Sequence, residues 1–262
     1  MDGMLSFAGF VTGLLVGLTG VGGGALMTPL LLLIFGIAPQ TAVGTDLWFA
    51  SITKLAATRV HGTRGLIDVQ VLKRLWSGSL PAAALTLICL KIWGAGGLHL
   101  EMLKAAIAGA VMLTAVGIIF QRRLHAMGRE WRLRHAAQFK SAQGPLTVAA
   151  GAVLGVLVAM TSVGAGALGT VALAYLYPLR LTPPRLIATD IAHAIPLAMV
   201  AGLGHVALGN VDLPLLGNLL LGSLPGVVIG AHLSARLPHG LLRMALALVL
   251  AAVGTKLLFA AL

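Results

Sequence analysis

The pentapeptide Gly20-Val21-Gly22-Gly23-Gly24 interrupts one long apolar stretch, with residues 9–19 before it and residues 25–35 after it. A similar pentapeptide, Ser162-Val163-Gly164-Ala165-Gly166, interrupts a second apolar stretch about 142 residues later. Glycine adopts backbone conformations that other residues avoid, and it lets other chains approach closely. Each pentapeptide therefore predicts a break between two helical segments.

The composition places both breaks in a membrane protein. Hydrophobic residues make up 58% of the 262 residues and charged residues only 10%, whereas soluble domains average roughly 25% charged residues. Several apolar runs reach the ~20 residues that cross a bilayer. The first run carries only Asp2 and has no basic start, so we expect it to remain in the mature chain rather than act as a signal peptide.

The two halves of the chain repeat one plan. At a nearly constant offset of about 144 residues, Thr45-Asp46 matches Thr189-Asp190, and Gly78-Ser79-Leu80-Pro81 matches Gly222-Ser223-Leu224-Pro225. So many matches predict two copies of one membrane unit. We predict a first transmembrane repeat, a basic cytoplasmic linker and a second transmembrane repeat over residues 1–121, 122–145 and 146–262.

Each repeat is predicted to contain a glycine-broken helical hairpin and three transmembrane helices. Residues 5–35 would measure about 46 Å as one helix, which is too long for one crossing of a ~30 Å core and too short for two. A hairpin that enters the membrane and returns fits this length. A short amphipathic connector is predicted over residues 69–74, and a polar linker over 121–143. The six predicted spans are 41–60, 77–93, 103–120, 184–205, 213–235 and 241–259.

The positive charges orient the two repeats. A hairpin and three spans give an odd number of crossings, so the second copy is predicted to be inverted. With the linker in the cytoplasm, about fourteen Lys and Arg residues fall on that side and about three on the other, as the positive-inside rule expects. The formal charge of +11 is thereby explained without a nucleic-acid partner. The predicted fold is an all-α polytopic membrane protein with two inverted repeats.

The helix that follows each break is predicted to form an anion site. Its free N–H groups and its dipole attract negative charge, and paired breaks in two halves are typical of a transporter's binding site. The alternative is helix packing, which we expect for the Gly9-x-x-x-Gly13-x-x-x-Gly17 ridge. The predicted substrate-binding residues are Thr19, Gly22, Gly23, Gly24, Thr45, Thr161, Ser162, Gly164, Gly166 and Thr189.

The glycine motifs resemble those of a known family. Gly13-x-x-x-Gly17-x-x-Gly20-x-Gly22-Gly23-Gly24-x-x-x-x-Pro29, then Ala42-Val43-Gly44-Thr45, and later Gly222-Ser223-Leu224-Pro225-Gly226-x-x-x-Gly230, resemble the sulfite exporter TauE/SafE family of bacterial membrane permeases. The resemblance covers nearly the whole chain. It implies a transporter of small sulfur-containing anions or organic acids, such as sulfite, thiosulfate, sulfoacetate or carboxylates. Asp46 departs from the family pattern, which has a small or hydroxyl residue there, and suggests a role for protons.

Four ionisable residues are predicted to lie within the membrane, where such residues usually serve function. Asp46 and Asp190 would carry a proton, or cap the starts of their helices. Lys54 would pair with an anionic substrate or with an acid, or extend toward the cytoplasmic face. His193 lies one helical turn beyond Asp190 and is a candidate proton relay, or a core histidine.

Other motifs are absent from the sequence. There is no Walker A, G-x-S-x-G or H-E-x-x-H motif, and Cys89 is the only cysteine. We therefore expect no enzyme, no cofactor and no metal. His61, His205, Asp68 and Asp212 are predicted as structural elements of connectors outside the core.

The main hypothesis is a secondary transporter of small anions in the bacterial inner membrane, proton-coupled and working by alternating access. The alternative is a passive anion channel. The expected partners are the lipid bilayer and a small anionic substrate. The sequence leaves open which anion is carried, the direction, the coupling ion and whether the chain forms a homo-oligomer.

Overall fold

The computed structural model describes residues 2–19, 24–61, 65–93, 100–164, 166–234 and 239–261. Every regular element in these ranges is an α-helix, so the protein is an all-α polytopic membrane protein, as predicted. In chain order the helices are α1 Asp2–Thr19, α2 Gly24–Leu33, α3 Pro39–His61, α4 Val69–Trp93, α5 Leu100–Arg134, α6 Ala136–Thr161, α7 Ala167–Leu176, α8 Pro183–Ala207, α9 Leu213–Ser234 and α10 His239–Ala261.

Five of these helices, α4, α5, α6, α8 and α9, are both long and apolar enough to cross a membrane. Helix α3 has sufficient length, at 23 residues, but polar side chains such as those of Asp46 and Lys54 lower its hydropathy. In α10, the segment Met244–Phe259, whose side chains the structure describes, is apolar. The sequence repeat matches α3 with α8 and α10 with α5. Hydropathy alone would not single out α3 and α10 as membrane spans.

Helices α6 and α7 fold back on each other as a hairpin. The hydroxyl of Thr147, near the middle of α6, lies 2.9 Å from that of Tyr177, just after α7. Nearby, Nε2 of Gln143 donates to the carbonyl of Leu176 at 2.5 Å. A single kinked helix would hold residues 147 and 177 about 45 Å apart. The break is therefore the tip of a hairpin, which confirms the prediction for the second half.

The first hairpin shows the same arrangement. Leu5 of α1 shares a buried apolar cluster with Met27 and Leu31 of α2. These residues are far apart along the chain, but a returning second arm brings them to similar depths. The cluster therefore supports a hairpin in the first repeat as well.

Glycines bring helices of opposite repeats into backbone contact. A Cβ on Gly9 of α1 would collide with the backbone of Leu219 in α9, and one on Gly13 would collide with Ser223. Small residues permit such close approach between membrane helices. The packing interpretation of the Gly9, Gly13 and Gly17 ridge is confirmed. Helices α6 and α4 make the same contact at the equivalent positions, Gly151 with Leu75 and Gly155 with Ser79.

Equivalent helices of the two halves run antiparallel. Gly44 near the start of α3 lies beside Asn210 just after α8, and Trp48 lies beside Gly202 further back along α8. Helices α5 and α10 pair in the same sense. Repeats related by an axis along the membrane normal would place equivalent helices parallel. The antiparallel pairs support the inverted relation, which stays a prediction.

Two segments predicted as connectors are helical. Residues 69–74 continue into α4, and residues 121–143 belong to α5 and α6, which meet at His135. Across this corner the rings of Trp131 and Phe139 pack edge to face, with centroids 5.1 Å apart. Both segments contain Arg, Gln and Leu, which are good helix formers, so a polar connector here is compatible with helix.

Two residues predicted to lie in connectors outside the core are buried. His205 belongs to α8, is 4% exposed, and places its Nε2 2.9 Å from the carbonyl of Ala159. Asp68, which precedes α4, is 5% exposed. Asp68 is held by Thr189 and Arg180 of the other repeat. His205 instead contacts α6 of its own repeat, and the sequence of one connector reveals neither partner.

Candidate functional site

A buried charged cluster lies between α3 and α8. Asp46 and Lys54 of α3, and Asp190 and His193 of α8, are each no more than 2% exposed. Lys54 interacts electrostatically with both carboxyl groups and with the imidazole. Lys54 therefore links the four ionisable residues predicted within the membrane into one electrostatically connected group, which we call the charged cluster.

Asp46 lies between the first turns of α2 and the tip of the second hairpin. Thr28 of α2 donates its hydroxyl to Oδ2 of Asp46 at 2.5 Å. The hydroxyl of Ser162 lies near the same carboxyl group without completing a hydrogen bond. Within the described residues, Oδ1 of Asp46 and Oγ of Ser162 have no hydrogen-bond partner. Buried polar atoms rarely stay unpaired, and a role of this corner in binding a proton or a ligand stays a prediction.

Asp190 lies against the first turn of α7. A Cβ on Gly169 would collide with Oδ1 of Asp190, so glycine is what leaves room for the carboxyl group. Helix α7 follows Gly166, whose φ is 137°, and has no side-chain cap. The carboxyl group thus lies beside the positive end of the α7 dipole. Neither of its oxygens has a hydrogen-bond partner in the part of the chain that the structure describes.

The serines of the repeated Gly-Ser-Leu-Pro motif border the charged cluster. Oγ of Ser79 lies 2.9 Å from Nε2 of His193. At the equivalent place, Oγ of Ser223 lies 3.2 Å from Oγ1 of Thr53. Neither serine was predicted from the sequence as a site residue. A serine inside an apolar span could have indicated a polar neighbour within the membrane, because a buried hydroxyl needs a hydrogen-bond partner.

Thr45 and Thr189 connect the two repeats at opposite ends of the α3–α8 pair. The hydroxyl oxygen of Thr189 accepts the backbone N–H of Asp68 at 3.0 Å. The hydroxyl oxygen of Thr45 accepts the backbone N–H of Asp212 at 3.1 Å. We call these contacts the Thr–Asp latches. Both threonines are fully buried, and substrate contact by either of them stays a prediction.

One Thr–Asp latch carries an additional ion pair. Arg180, in the α7–α8 connection, donates from Nε and Nη2 to the two oxygens of Asp68 at 2.7 and 2.8 Å, and from Nη2 to Gln70 at 2.9 Å. Burial alone would raise the pKa of Asp68, but the hydrogen bonds from Arg180 and from the N–H of Val71, with the nearby positive charge, hold it below its ordinary value of 3.8. Over the described ranges, Asp212 has no equivalent ion pair.

The remaining predicted site residues surround the hairpin tips. Thr19 and Thr161 donate their hydroxyls to carbonyls of their own helices, at 2.7 and 2.6 Å, so these donors are engaged. The second tip turns through Ser162, Gly164 and Gly166, with φ values of 57°, 111° and 137°. This backbone confirms the predicted break. Gly24 begins α2, whereas Gly22 and Gly23 lie outside the described residues.

A helical membrane fold, with broken hairpins and buried charges between two repeats, defines the class of polytopic membrane transporters. The model of the sulfite exporter TauE/SafE family matches residues 5–257, and the chain belongs to this family. The resemblance seen in the glycine motifs is thereby confirmed.

Several relatives from Bacillus subtilis (strain 168) are similar to the chain. The probable membrane transporter protein YjnA is 40% identical over 253 residues, which cover 95% of this chain and 97% of the relative. The probable membrane transporter protein YdhB is 28% identical over 256 residues, with the same coverage. The probable membrane transporter protein YunE matches over 80 residues at 31% identity, 29% of each chain. No solved structure matches the chain.

Proposed function

We propose that this protein is a secondary transporter of small anions across the bacterial inner membrane, coupled to protons and working by alternating access. Sulfur oxyanions, organosulfonates and organic acids, of the sulfite, thiosulfate or sulfoacetate type, are the proposed substrates. The observation that carries the proposal is the burial of Asp46, Lys54 and Asp190 together beside the starts of α2 and α7. Family membership supports the transporter class.

The position of the two acids links anion binding to protons. Asp46 accepts a hydrogen bond from Thr28 in α2, and Asp190 lies against Gly169 in α7. Helix starts attract negative charge, so each carboxylate competes with a substrate anion for the same place. A proton that neutralises the carboxyl group removes this competition. Proton and anion therefore favour each other's binding.

The closure of the site supports alternating access over a passive channel. Both Thr–Asp latches are made, and the side chains of the charged cluster are no more than 2% exposed. A conducting pore would keep its binding residues in contact with water from both sides. An occluded site between two repeats instead fits a cycle in which one end opens at a time.

Uptake into proteoliposomes tests the proposal. A thermal-shift screen of sulfite, thiosulfate, sulfonates and carboxylates first identifies a ligand, because stabilisation grows with the ratio of ligand concentration to Kd. The native protein should then accumulate that ligand when a pH gradient is imposed. Asp46→Asn or Asp190→Asn should lose this accumulation while still exchanging internal for external ligand.

The outcomes separate the alternatives. Full pH-driven accumulation by both variants would remove the proton role. Flux far above transporter rates, with no accumulation against a gradient, would establish the channel instead.

A further inference from the structure

We propose that the site takes one monovalent anion together with one proton, so that each transport step moves no net charge. This inference rests on the proposed function, and it adds the charge of the substrate and the stoichiometry of coupling. It follows from the number of charges buried at the charged cluster and from their positions.

Lys54 is the buried cation that the described residues place at the charged cluster. Among the described residues it is the one lysine or arginine whose side chain is buried. It interacts with Asp190 and with Asp46, so two carboxyl groups share one ammonium group. The equivalent position in the second repeat is Ala198, so the repeat does not supply a second cation.

The empty site is neutral when it holds one proton. One ionised carboxyl group balances Lys54, and a second would leave an uncompensated negative charge in a buried site, which is costly. The second carboxyl group therefore carries the proton. Both acids have an oxygen without a hydrogen-bond partner in the described ranges, namely Oδ1 of Asp46 and both oxygens of Asp190.

The loaded site is neutral when a monovalent anion replaces the carboxylate at Lys54. The incoming anion pairs with the ammonium group, and the incoming proton binds the carboxylate that it displaced. One anion and one proton enter together and leave together, so no charge is left behind. A divalent anion would leave one uncompensated negative charge even with both carboxyl groups protonated.

His193 does not alter this balance. Its Nε2 is engaged with Ser79 of α4, and its backbone carbonyl accepts the indole N–H of Trp76 at 3.4 Å. The charged groups that act on it are Lys54 of α3 and Asp190, one turn away on its own helix. A second positive charge beside Lys54 would be repelled strongly in a buried site. A neutral imidazole can still pass a proton between its two nitrogens.

Three measurements on the native protein in proteoliposomes test the inference. Methanesulfonate and methanedisulfonate are fully ionised mono- and dianions of related chemistry, and sulfite itself changes from the monovalent to the divalent form as the pH rises. The monovalent forms should be taken up at least tenfold faster. Uptake driven by a pH gradient should be unchanged when valinomycin and potassium clamp the membrane potential at different values, and solid-supported membrane recordings should show no net transport current.

The failures of the two proposals are distinguishable. Accumulation that depends on membrane potential, produces a current or prefers the dianion overturns the one-to-one charge balance but leaves an anion transporter. Absence of any gradient-driven accumulation of these anions overturns the proposed function itself.

Variants at the cation test the pairing directly. Lys54→Met alone would leave two buried acids without a cation, so the double variant Lys54→Met with Asp190→Asn keeps the site neutral and is the one to purify. It should remain folded but lose thermal stabilisation by methanesulfonate, whereas Lys54→Arg should retain it. Stabilisation of the double variant at the native level would show that Lys54 does not hold the anion.

Discussion

At the scale of single residues, the two repeats share a scaffold but not a charge pattern. The Thr-Asp pairs occur in both halves, whereas Lys54 corresponds to Ala198 and His193 corresponds to Phe49. The symmetric residues build the tips and the latches. The asymmetric ones bring a single cation and a single imidazole to one buried place, so the chemistry is carried by the differences between the repeats.

Gly169 is the residue whose replacement tests the position of Asp190. In Gly169→Ala the added Cβ would collide with Oδ1 of Asp190, and overpacking of this kind costs ~1–3 kcal/mol. A displacement of about 1 Å at a working group can lower a rate ~10²-fold. We expect the initial rate of uptake to fall at least tenfold while the protein still folds. Gly217→Ala is the matched control, because nothing lies within 4 Å of a Cβ there; equal rates in both variants would contradict the prediction.

Ser79 is expected to hold the ring of His193. Removing its hydroxyl in Ser79→Ala leaves a buried imidazole nitrogen without its partner, which costs ~1–3 kcal/mol, and frees the ring to turn. We expect the pH dependence of the uptake rate to shift in Ser79→Ala and to return in Ser79→Thr. Ser223→Ala is the control, since its partner Thr53 does not titrate. The same pH profile in all three variants would speak against a positioning role.

At the scale of helices, the packing and the hydroxyl contacts of the two latches are nearly symmetric, and the ion pair of Arg180 is not. The α1–α9 and α4–α6 contacts repeat position by position, and so do the two Thr–Asp latches. Arg180 reinforces only the latch at Asp68, which the predicted topology places at the cytoplasmic end. We therefore expect the cytoplasmic end, with the latch at Asp68, to open less readily than the end with the latch at Asp212.

Arg180→Gln should loosen the cytoplasmic end selectively. A bidentate pair between Arg and a carboxylate is strong and directional, and Gln keeps only part of it. In a Cys89→Ser background, a cysteine at buried Val163 reports access to the second tip. We expect several-fold faster labelling by an impermeant thiol reagent from the cytoplasmic side only. Asp212→Asn, at the latch without an ion pair, is the control and should not raise labelling from that side; an increase from both sides would refute a one-sided latch.

The ion pair at Asp68 also predicts a dependence of stability on pH. The pKa of Asp68 is depressed in the folded chain, so its contribution is present above its ordinary value of 3.8 and is lost as the pH falls through the lower folded value. Thermal unfolding of the native protein in detergent should therefore shift to lower temperature in acid. Asp68→Asn should show a smaller acid shift and a lower Tm at neutral pH. An identical acid shift in both proteins would exclude Asp68 as its source.

Much of the helix arrangement could be predicted from the sequence, because apolar length and glycine breaks act locally. The second hairpin and the Gly9, Gly13 and Gly17 packing ridge are examples. The helical structure of residues 121–143 was left open by the polar-linker prediction, since polarity alone does not distinguish a helix from a loop and Arg and Gln are good helix formers. The partners of Thr45 and Ser79 were beyond prediction, because they lie on the opposite repeat and depend on how the helices cross.

At the scale of the whole molecule, the structure is a closed state in which both ends of the α3–α8 pair are held together. The charged cluster is buried, and each end of the α3–α8 pair is held by a hydroxyl bound to the backbone of the other repeat. The hydroxyl–backbone hydrogen bond of each latch is neutral and worth about 0.5–1.5 kcal/mol net, and Arg180 adds an ion pair at Asp68 only. Such weak closures suit a molecule whose two ends must open in turn.

The glycine contacts between α1 and α9 have a consequence for biosynthesis. The ribosome delivers α1 to the membrane first, but the surface against which its glycines pack arrives only when most of the chain has been made. Until α9 is made, the first hairpin lies in the bilayer or the translocon without the helix against which it packs. The two repeats are therefore expected to mature together rather than one after the other, and a nascent chain stopped at the linker should remain a target for membrane quality control.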